Sequence, residues 1–514
     1  MSRKLLKSTS IVAVMTMLSR ILGFVRDIIF AALFGAGPMF DAFVIAFKIP
    51  NFLRRLFGEG AFAQAFVPVL SDYKINRSEQ ETRSFISHVE ANLGAAALLV
   101  VILAEIAAPA VVLIFAPGFS HDPVRLHMAR VMLHYTFPYL FFITLVAFSG
   151  AVLNTYNHFT VPAMTPILLN VSLIAASAVG AHYSPEPIVF VSIGVMVGGV
   201  LQLLLQLPVL AKHKVLVRPK ISWQDPGVRR VLKLMLPALF GVSVAQIGLM
   251  VDNFFASYLP GGSISWLYYS DRLTYLPLGV IGVALSTVVM PHLSKHHASG
   301  DAAAYRGTLN WALRMVLLIG TPASLGLVIL AGPILATLMH HGQFDSQDVA
   351  MTRLSLMAFA AGLVAFMLIK ILASAFYSRQ NVKTPVKIAV LALLVNVALN
   401  FIFIKPLAHM GLALATTLAA WVNSLLLFSY LWRKRIFLPT AGWAKVLLAL
   451  VVAAGAMSWF LIYMQAPMIT WLHWHLVTAG WHLILLLVAA IGIYIFLLWL
   501  MGIRLSVLKA SSEL

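Results

Sequence analysis

Cysteine is absent from this 514-residue chain, which excludes disulfides and thiolate metal sites. Charge is nearly as scarce. Only 10% of the residues are Asp, Glu, Lys or Arg, against about 25% in ordinary soluble domains, so no soluble domain of useful size can be cut from it. Acid is scarcer than base, with 17 Asp and Glu to 36 Lys and Arg. No G-x-x-x-x-G-K-[ST] loop occurs, and with so little soluble mass ATP hydrolysis within the chain is not expected. No small-residue cleavage site follows the basic opening MSRKLLKSTS, and the apolar run behind it carries Arg20 and Arg26. It reads as a first span rather than a signal peptide.

Apolar residues fill the space these absences leave. They make up 61% of the chain, and the mean hydropathy is +0.93. Stretches of about 20 apolar residues recur along its length, each long enough to cross a hydrocarbon core as a helix. Cut at polar and Pro/Gly-rich breaks, the sequence predicts an all-α polytopic membrane protein of about 14 transmembrane helices, centred near residues 20, 50, 100, 140, 168, 198, 243, 280, 322, 362, 393, 418, 453 and 490.

Base is distributed unevenly over the loops. With the N-terminus inside, 23 Lys and Arg fall on inside segments and 4 outside, namely Arg125, Arg130, Arg353 and Lys405. The positive-inside rule then places both termini in the cytoplasm. The net charge of +19 is largely topological, and nucleic acid is not an expected partner.

Nine bases lie within or beside spans. Lys233, Arg314 and Lys370 can snorkel to an interface. Arg20 and Arg26 of SRILGFVRD (Ser19 to Asp27) cannot, and each costs about 2.5 to 3.5 kcal/mol at the centre of a spanning helix. They should face a bundle interior or aqueous cavity. Arg20 shares a helix face with Asp27, as Ser19 does with Arg26, so buried ion pairs such as Arg20 with Asp27, or Arg26 with Asp41, are one reading. The other is anion binding, because with Arg272 added the bases outnumber the acids.

Two weak internal matches agree in offset. VPVLSDYK (Val67 to Lys74) recurs in outline as MPHLSKHH (Met290 to His297), 223 residues on, and Tyr156 to Pro162 corresponds to Tyr377 to Pro385, 221 residues on. They predict two six-helix lobes of parallel topology around a central cationic cavity, residues 1–220 and 221–435, with an extra helix pair in 436–514. A monovalent cation site can be read from Asp252, Asn396, Asn400 and Thr416, one carboxylate with neutral oxygens. Alternatively Asp252 carries a proton, or the polar groups simply bond helix to helix. His296, His297, His473 and His475 read as interfacial residues, and Glu105 falls inside a span with no partner the sequence identifies.

SRILGFVRD, the block from Phe34 to Tyr73, SWLYYSDRL (Ser265 to Leu273) and FYSRQNVKTPVKI (Phe376 to Ile388) resemble the signatures of the MurJ/MviN lipid II flippases, of the multidrug/oligosaccharidyl-lipid/polysaccharide exporter superfamily. The resemblance implies translocation of lipid II, an undecaprenyl diphosphate bearing a disaccharide-pentapeptide, across the bacterial inner membrane for peptidoglycan synthesis. Arginine suits its headgroup, since the planar guanidinium binds phosphate oxygens bidentately and stays charged when desolvated. Carried over by motif, Arg20, Arg26 and Arg272 are headgroup-binding residues, with Ser19, Ser265 and Asp41 beside them. Arg54 and Glu59 form a gate, and the extra helix pair holds the lipid tail. No cofactor is implied; Na+, H+ or the membrane potential supplies the energy. Membrane lipids and cell-wall synthesis proteins are the implied partners. The competing readings are an exporter of another oligosaccharide-lipid or a drug, and a membrane enzyme acting on polyprenyl diphosphates, for which no catalytic cluster is seen.

Overall fold

A computed structural model describes residues 3–56 and 61–503, among which every regular element is a helix. The chain forms two compact units, Met1–Ser265 and Trp266–Leu514.

The first unit holds α1 (Arg3–Phe34), α2 (Pro38–Leu53), α3 (Ala61–Asn76), α4 (Glu79–Ile106), α5 (Ala108–Phe115), α6 (Pro123–Thr136), α7 (Tyr139–Thr155), α8 (Thr160–Tyr183), α9 (Pro187–Lys212) and α10 (Pro226–Ala256). Local sequence sets their starts. Pro38, Pro123, Pro187 and Pro226 sit in the first turns of α2, α6, α9 and α10, where a missing N–H costs nothing. Ser78 and Glu81 close a reciprocal capping box on α4. Asp225 caps α10, accepting from the N–H groups of Gly227 and Val228.

The core of this unit is aromatic, with Phe62, Phe66, Phe85 and Phe148 of α3, α4 and α7 packed ring to ring at centroid distances of 5.0 to 6.2 Å. Small residues seat α8 on α9. A Cβ at Gly194 would come within 2.5 Å of the Ala176 methyl, and one at Gly198 within 2.8 Å of Leu169. Two glycines four apart thus let the backbones approach as side chains would not.

The second unit holds the rest of α11 (Ser263–Pro277), which begins just inside the first, then α12 (Val283–Ala298), α13 (Ala302–Ile329), α14 (Ala331–Leu338), α15 (Ser346–Ala360), α16 (Leu363–Tyr377), α17 (Lys383–Arg433), α18 (Trp443–Met464), α19 (Met468–His473) and α20 (Leu476–Leu500). Its core gathers Leu309 and Leu313 of α13, Leu363, Met367 and Ile371 of α16, and Leu427 of α17. The C-terminal helices α18 and α20 pack on each other and on α13, where the Tyr494 hydroxyl donates to the Leu318 carbonyl at 2.7 Å.

The long element α17 is two helices, not one. Asn396 and Thr416, 20 residues apart, would stand about 30 Å apart in a straight helix, yet their side chains meet at 3.0 Å. The chain reverses at Ala408, whose φ of 48° and ψ of −130° are non-helical. The spans expected near 393 and 418 are its two arms.

The two P-x-L-S segments lie in similar local settings. In each unit's early helices a π-helical turn, residues 54–56 and Leu278–Gly282, precedes a 16-residue helix with a proline near its middle, Pro68 in α3 and Pro291 in α12. Among the described residues 10 helical stretches are long and apolar enough to cross a membrane, with both arms of α17 counted as one. α1, the α2 and α3 pair, and α10 lie outside that set.

Candidate functional site

SRILGFVRD lies in the C-terminal half of α1, and its two innermost charges are buried, with Arg26 6% and Asp27 2% exposed. Arg26 folds back on its neighbour: Nε and Nη2 donate to Asp27 Oδ1 at 3.0 and 2.6 Å. Nη1 reaches across to α8 and donates to Asn170 Oδ1 at 2.9 Å. Asn170 completes the clasp, its Nδ2 donating to the Ser19 carbonyl at 3.0 Å. The guanidinium carbon also stands 5.5 Å from the centre of the Phe30 ring. Gly23 faces this amide; a Cβ there would stand 3.6 Å from Asn170, an ordinary contact. Ser19 and Arg20, a turn earlier, are half-buried.

This corrects one expectation from spacing. Asp27 is engaged by Arg26 rather than by Arg20, although adjacent helical residues normally diverge. The arginine stem is long enough to turn back, and burial favours the shortest ion pair. Nor is Arg26 paired with Asp41, which lies in a second cluster.

Asp41, near the start of α2, is 0% exposed. It accepts from the backbone N–H groups of Gly262 and Ser265, both at 2.8 Å, and from the Ser265 hydroxyl. A carboxylate thus caps the first turn of α11 from a different helix, at the positive end of its dipole. Asp41 and Ser265, both expected at the headgroup, are bonded to each other in this conformation. Arg125 Nη1 lies 3.8 Å from Asp41. That arginine, expected in an exposed outer loop, is only 6% exposed because Asp122 and the Leu259 carbonyl also hold it, at 2.7 and 3.1 Å.

Toward the end of α2, Lys48 donates to Asn253 at 2.8 Å and Arg54 Nε to Asn51 at 3.2 Å. Glu59, the expected gate partner of Arg54, lies outside the described residues. Glu105, left without a role by the sequence, is bonded to His134 between α4 and α6.

In the second unit Arg272 lies half-buried on α11 with its guanidinium carbon 4.9 Å from the Tyr268 ring centre. The helical hairpin of α17 brings together Asn396, Asn400 and Thr416: Asn396 donates to Thr416 at 3.0 Å and Asn400 to Asn396 at 3.4 Å. Three neutral oxygen-bearing side chains there suit a hard cation, and Asp252 belongs to α10 of the first unit. Among the described residues no group of three His, Cys, Asp or Glu could hold a metal ion. His473 bonds to the Ile469 carbonyl at 2.7 Å, beside the edge-to-face rings of Trp471 and Trp474.

Arg314, read as snorkelling, is a clamp instead. It donates to Thr440 Oγ1 and the Ala441 carbonyl, both at 2.9 Å, while Asn310 ties the Leu438 carbonyl and Thr440 N–H, fastening the approach to α18 onto α13. Sequence reasoning missed Asn170, Arg125 and Asn310. A lone asparagine in an apolar span was the available signal, since a buried amide needs a partner.

A family model described as "Lipid II flippase MurJ" matches residues 30–482. A "Probable lipid II flippase MurJ" of Vibrio cholerae is 44% identical over 100% of this chain and 99% of its own length. A "Lipid II flippase MurJ" of Burkholderia cenocepacia is 41% identical over 86% and 88%. The solved structure of a "Lipid II flippase MurJ, inward closed conformation" superposes with a TM-score of 0.80 at 31% identity, covering 95% of this chain and 97% of that one. An inward-facing multidrug MATE transporter of the MOP superfamily gives 0.69 at 13% identity over 83% and 97%, a likeness of fold alone. The chain belongs to the MurJ lipid II flippase family.

Proposed function

We propose that this multi-pass membrane protein is a transporter and not an enzyme, and that it carries lipid II from the inner to the outer leaflet of the bacterial cytoplasmic membrane by alternating access, for peptidoglycan synthesis. About fourteen crossings are read from the apolar stretches, and the 23 to 4 division of basic residues between the two sets of loops supports both termini in the cytoplasm.

The observation that carries this reading is the buried Arg26, seated by Asn170 and held by the carboxylate next to it. A diphosphate is the stronger partner for a guanidinium, so substrate entry exchanges Asp27 for phosphate while Asn170 keeps the arginine in place. Arg20 and Ser19 in the first unit, and Arg272 in the second, serve the same headgroup. The Asp41 and Ser265 bond fixes the start of α11 beside them. Arg54 and Glu59 gate the cytoplasmic end, and α18 with α20 supplies an apolar surface for the lipid tail, which stays in hydrocarbon while the headgroup crosses.

Coupling runs through Asp252, which carries a proton or Na+, and through the Asn396, Asn400 and Thr416 cluster as a monovalent cation seat, with the membrane potential as the other source of work.

The test is lipid II binding to purified protein by native mass spectrometry, with Arg26→Ala and Arg272→Ala beside wild type after each is shown to fold. Each variant is expected to lose at least about tenfold in affinity, the share of one charged hydrogen bond. Equal binding by all three proteins overturns the assignment of these arginines to the headgroup.

A further inference from the structure

The first unit contains an apolar groove lined by none of the residues assigned to the headgroup. It lies between α4 and α10 over a floor from α3 and α7, with a volume of about 200 Å³. Its depth is real: Phe62 of the floor and Val89 and Val228 of the walls are 1%, 4% and 3% exposed, whereas Val100, Leu232 and Trp223 at the rim are 36%, 41% and 50% exposed. The polar side chains in its lining are spent. Asn92 donates to the Ser222 carbonyl at 2.7 Å and accepts from its N–H at 3.2 Å, and Thr144 donates to the Leu140 carbonyl at 2.7 Å. Only a hydrocarbon gains by entering. An apolar cavity of about 150 Å³ holds a benzene molecule, so this one takes a segment of a single chain and excludes a sugar.

The wall bearing Trp223 is built rather than loose. Ser87 donates to the Arg218 carbonyl at 2.5 Å, His88 bonds Asp225 at 2.7 Å, and Asn92 holds Ser222, so three side chains of α4 fix the segment before α10. Trp223 therefore stands at the mouth, the headgroup level that tryptophan favours. Around it lie Arg218, Lys220, Arg229 and Lys233, exposed and forming no ion pair among the described residues, with Arg229 Nε donating to the Trp223 carbonyl at 3.4 Å. The neighbouring Arg230 is different, being paired with Asp72 at 2.6 Å. Arg229 stands three residues before Leu232, which lines the groove, and Lys233 follows Arg229 one turn on.

We propose that this groove is a binding site for an anionic phospholipid, one acyl chain lying between α4 and α10 and the phosphate resting on Arg229 and Lys233 beside Trp223. The site rests on the chain's being membrane-embedded, and not on what it transports. The charge at the mouth selects the occupant: each basic residue at an anionic headgroup favours it about fivefold over a zwitterionic one.

The full chain is reconstituted in phosphatidylcholine vesicles doped with phosphatidylglycerol carrying a diazirine at the end of one acyl chain, or with the same label on phosphatidylcholine, and crosslinked peptides are mapped. Labelling at Val100, Leu232 and Met235 should exceed that from the zwitterionic probe at least about fivefold. Ala96→Trp, which fills the groove from an exposed position, should abolish it, and Arg229→Gln with Lys233→Gln should equalise the two probes, while thermal unfolding of all variants stays close to wild type. Equal labelling by both probes in wild type, or labelling that survives Ala96→Trp, would reduce the groove to ordinary lipid-facing surface and overturn the proposal. So would displacement of the label by an unlabelled polyprenyl diphosphate and not by phosphatidylglycerol, which would make the groove a tail site of the transported lipid.

Discussion

At the scale of single residues the site turns on one amide. Asn170 satisfies a charged donor of Arg26 with its oxygen and the Ser19 carbonyl with its nitrogen. Asn170→Ala should therefore cost about 1.5 to 3 kcal/mol, the value of a hydrogen bond to a charged group, and weaken lipid II binding as well because Arg26 loses its seat. Thermal unfolding and the binding assay read the two effects separately, and a variant unchanged in both shows that Arg26 orients itself. A second residue gives a dependence on pH. His158, in the connection between α7 and α8, lies against His213 with the rings tilted and their centres 3.7 Å apart, and burial, then the charges of His213, Lys212 and Lys74, holds its imidazole below its ordinary value. A lowered folded pKa means the unfolded chain binds the proton more readily, so stability is complete above about pH 6.5 and declines as pH falls below it. The ring is part-buried in a loop where solvent screens its neighbours' charges, so the decline should be small, but it should vanish from the pH profile of unfolding in His158→Asn.

At the scale of elements, close packing of backbones replaces hydrophobic driving force between helices in lipid. Gly194→Val would press a side chain into Ala176, and overpacking of this kind costs about 1 to 3 kcal/mol. Adding Ala176→Gly should restore much of the lost thermal stability; if it restores none, the two helices are held by something other than this contact. Elements were also where the sequence was most legible. Hydropathy marked the apolar spans, and the P-x-L-S motif falls in α3 and in α12, two helices of equal length that each carry a proline near the middle. The partners of the charges were not legible. Arg26 with Asp27 defies the usual spacing rule, and Asn170 is 144 residues from Arg26. Hydrophobic periodicity says which face of a helix is buried but not which neighbour buries it, so Arg125 was placed in a loop and Arg314 at an interface.

At the scale of the whole molecule, transport requires a source of free energy. Asp252→Asn removes the one group in the proposed coupling set that can change charge, so transport by this variant in vesicles should lose its response to a Na+ or proton gradient. Unchanged transport with an unchanged ion response removes Asp252 from the coupling and leaves the membrane potential acting elsewhere. The fold class came from hydropathy and the family from motifs between Ser19 and Ile388, while the division into units did not follow from the repeat alone. α10 packs on α3 and α4 and so belongs with the first unit.

The reversal at Ala408 bears on how topology can be mapped. The arms of α17 are helical on both sides of a single residue, with Asn396 touching Thr416 across the turn. Almost no backbone is left over there for a protease to grip or for a fused reporter to occupy without unwinding one arm. Insertional tagging at that turn should fail through loss of folded protein, whichever side of the bilayer it faces, and only a small label on a single introduced cysteine would report its location faithfully, a strategy the natural absence of cysteine makes straightforward.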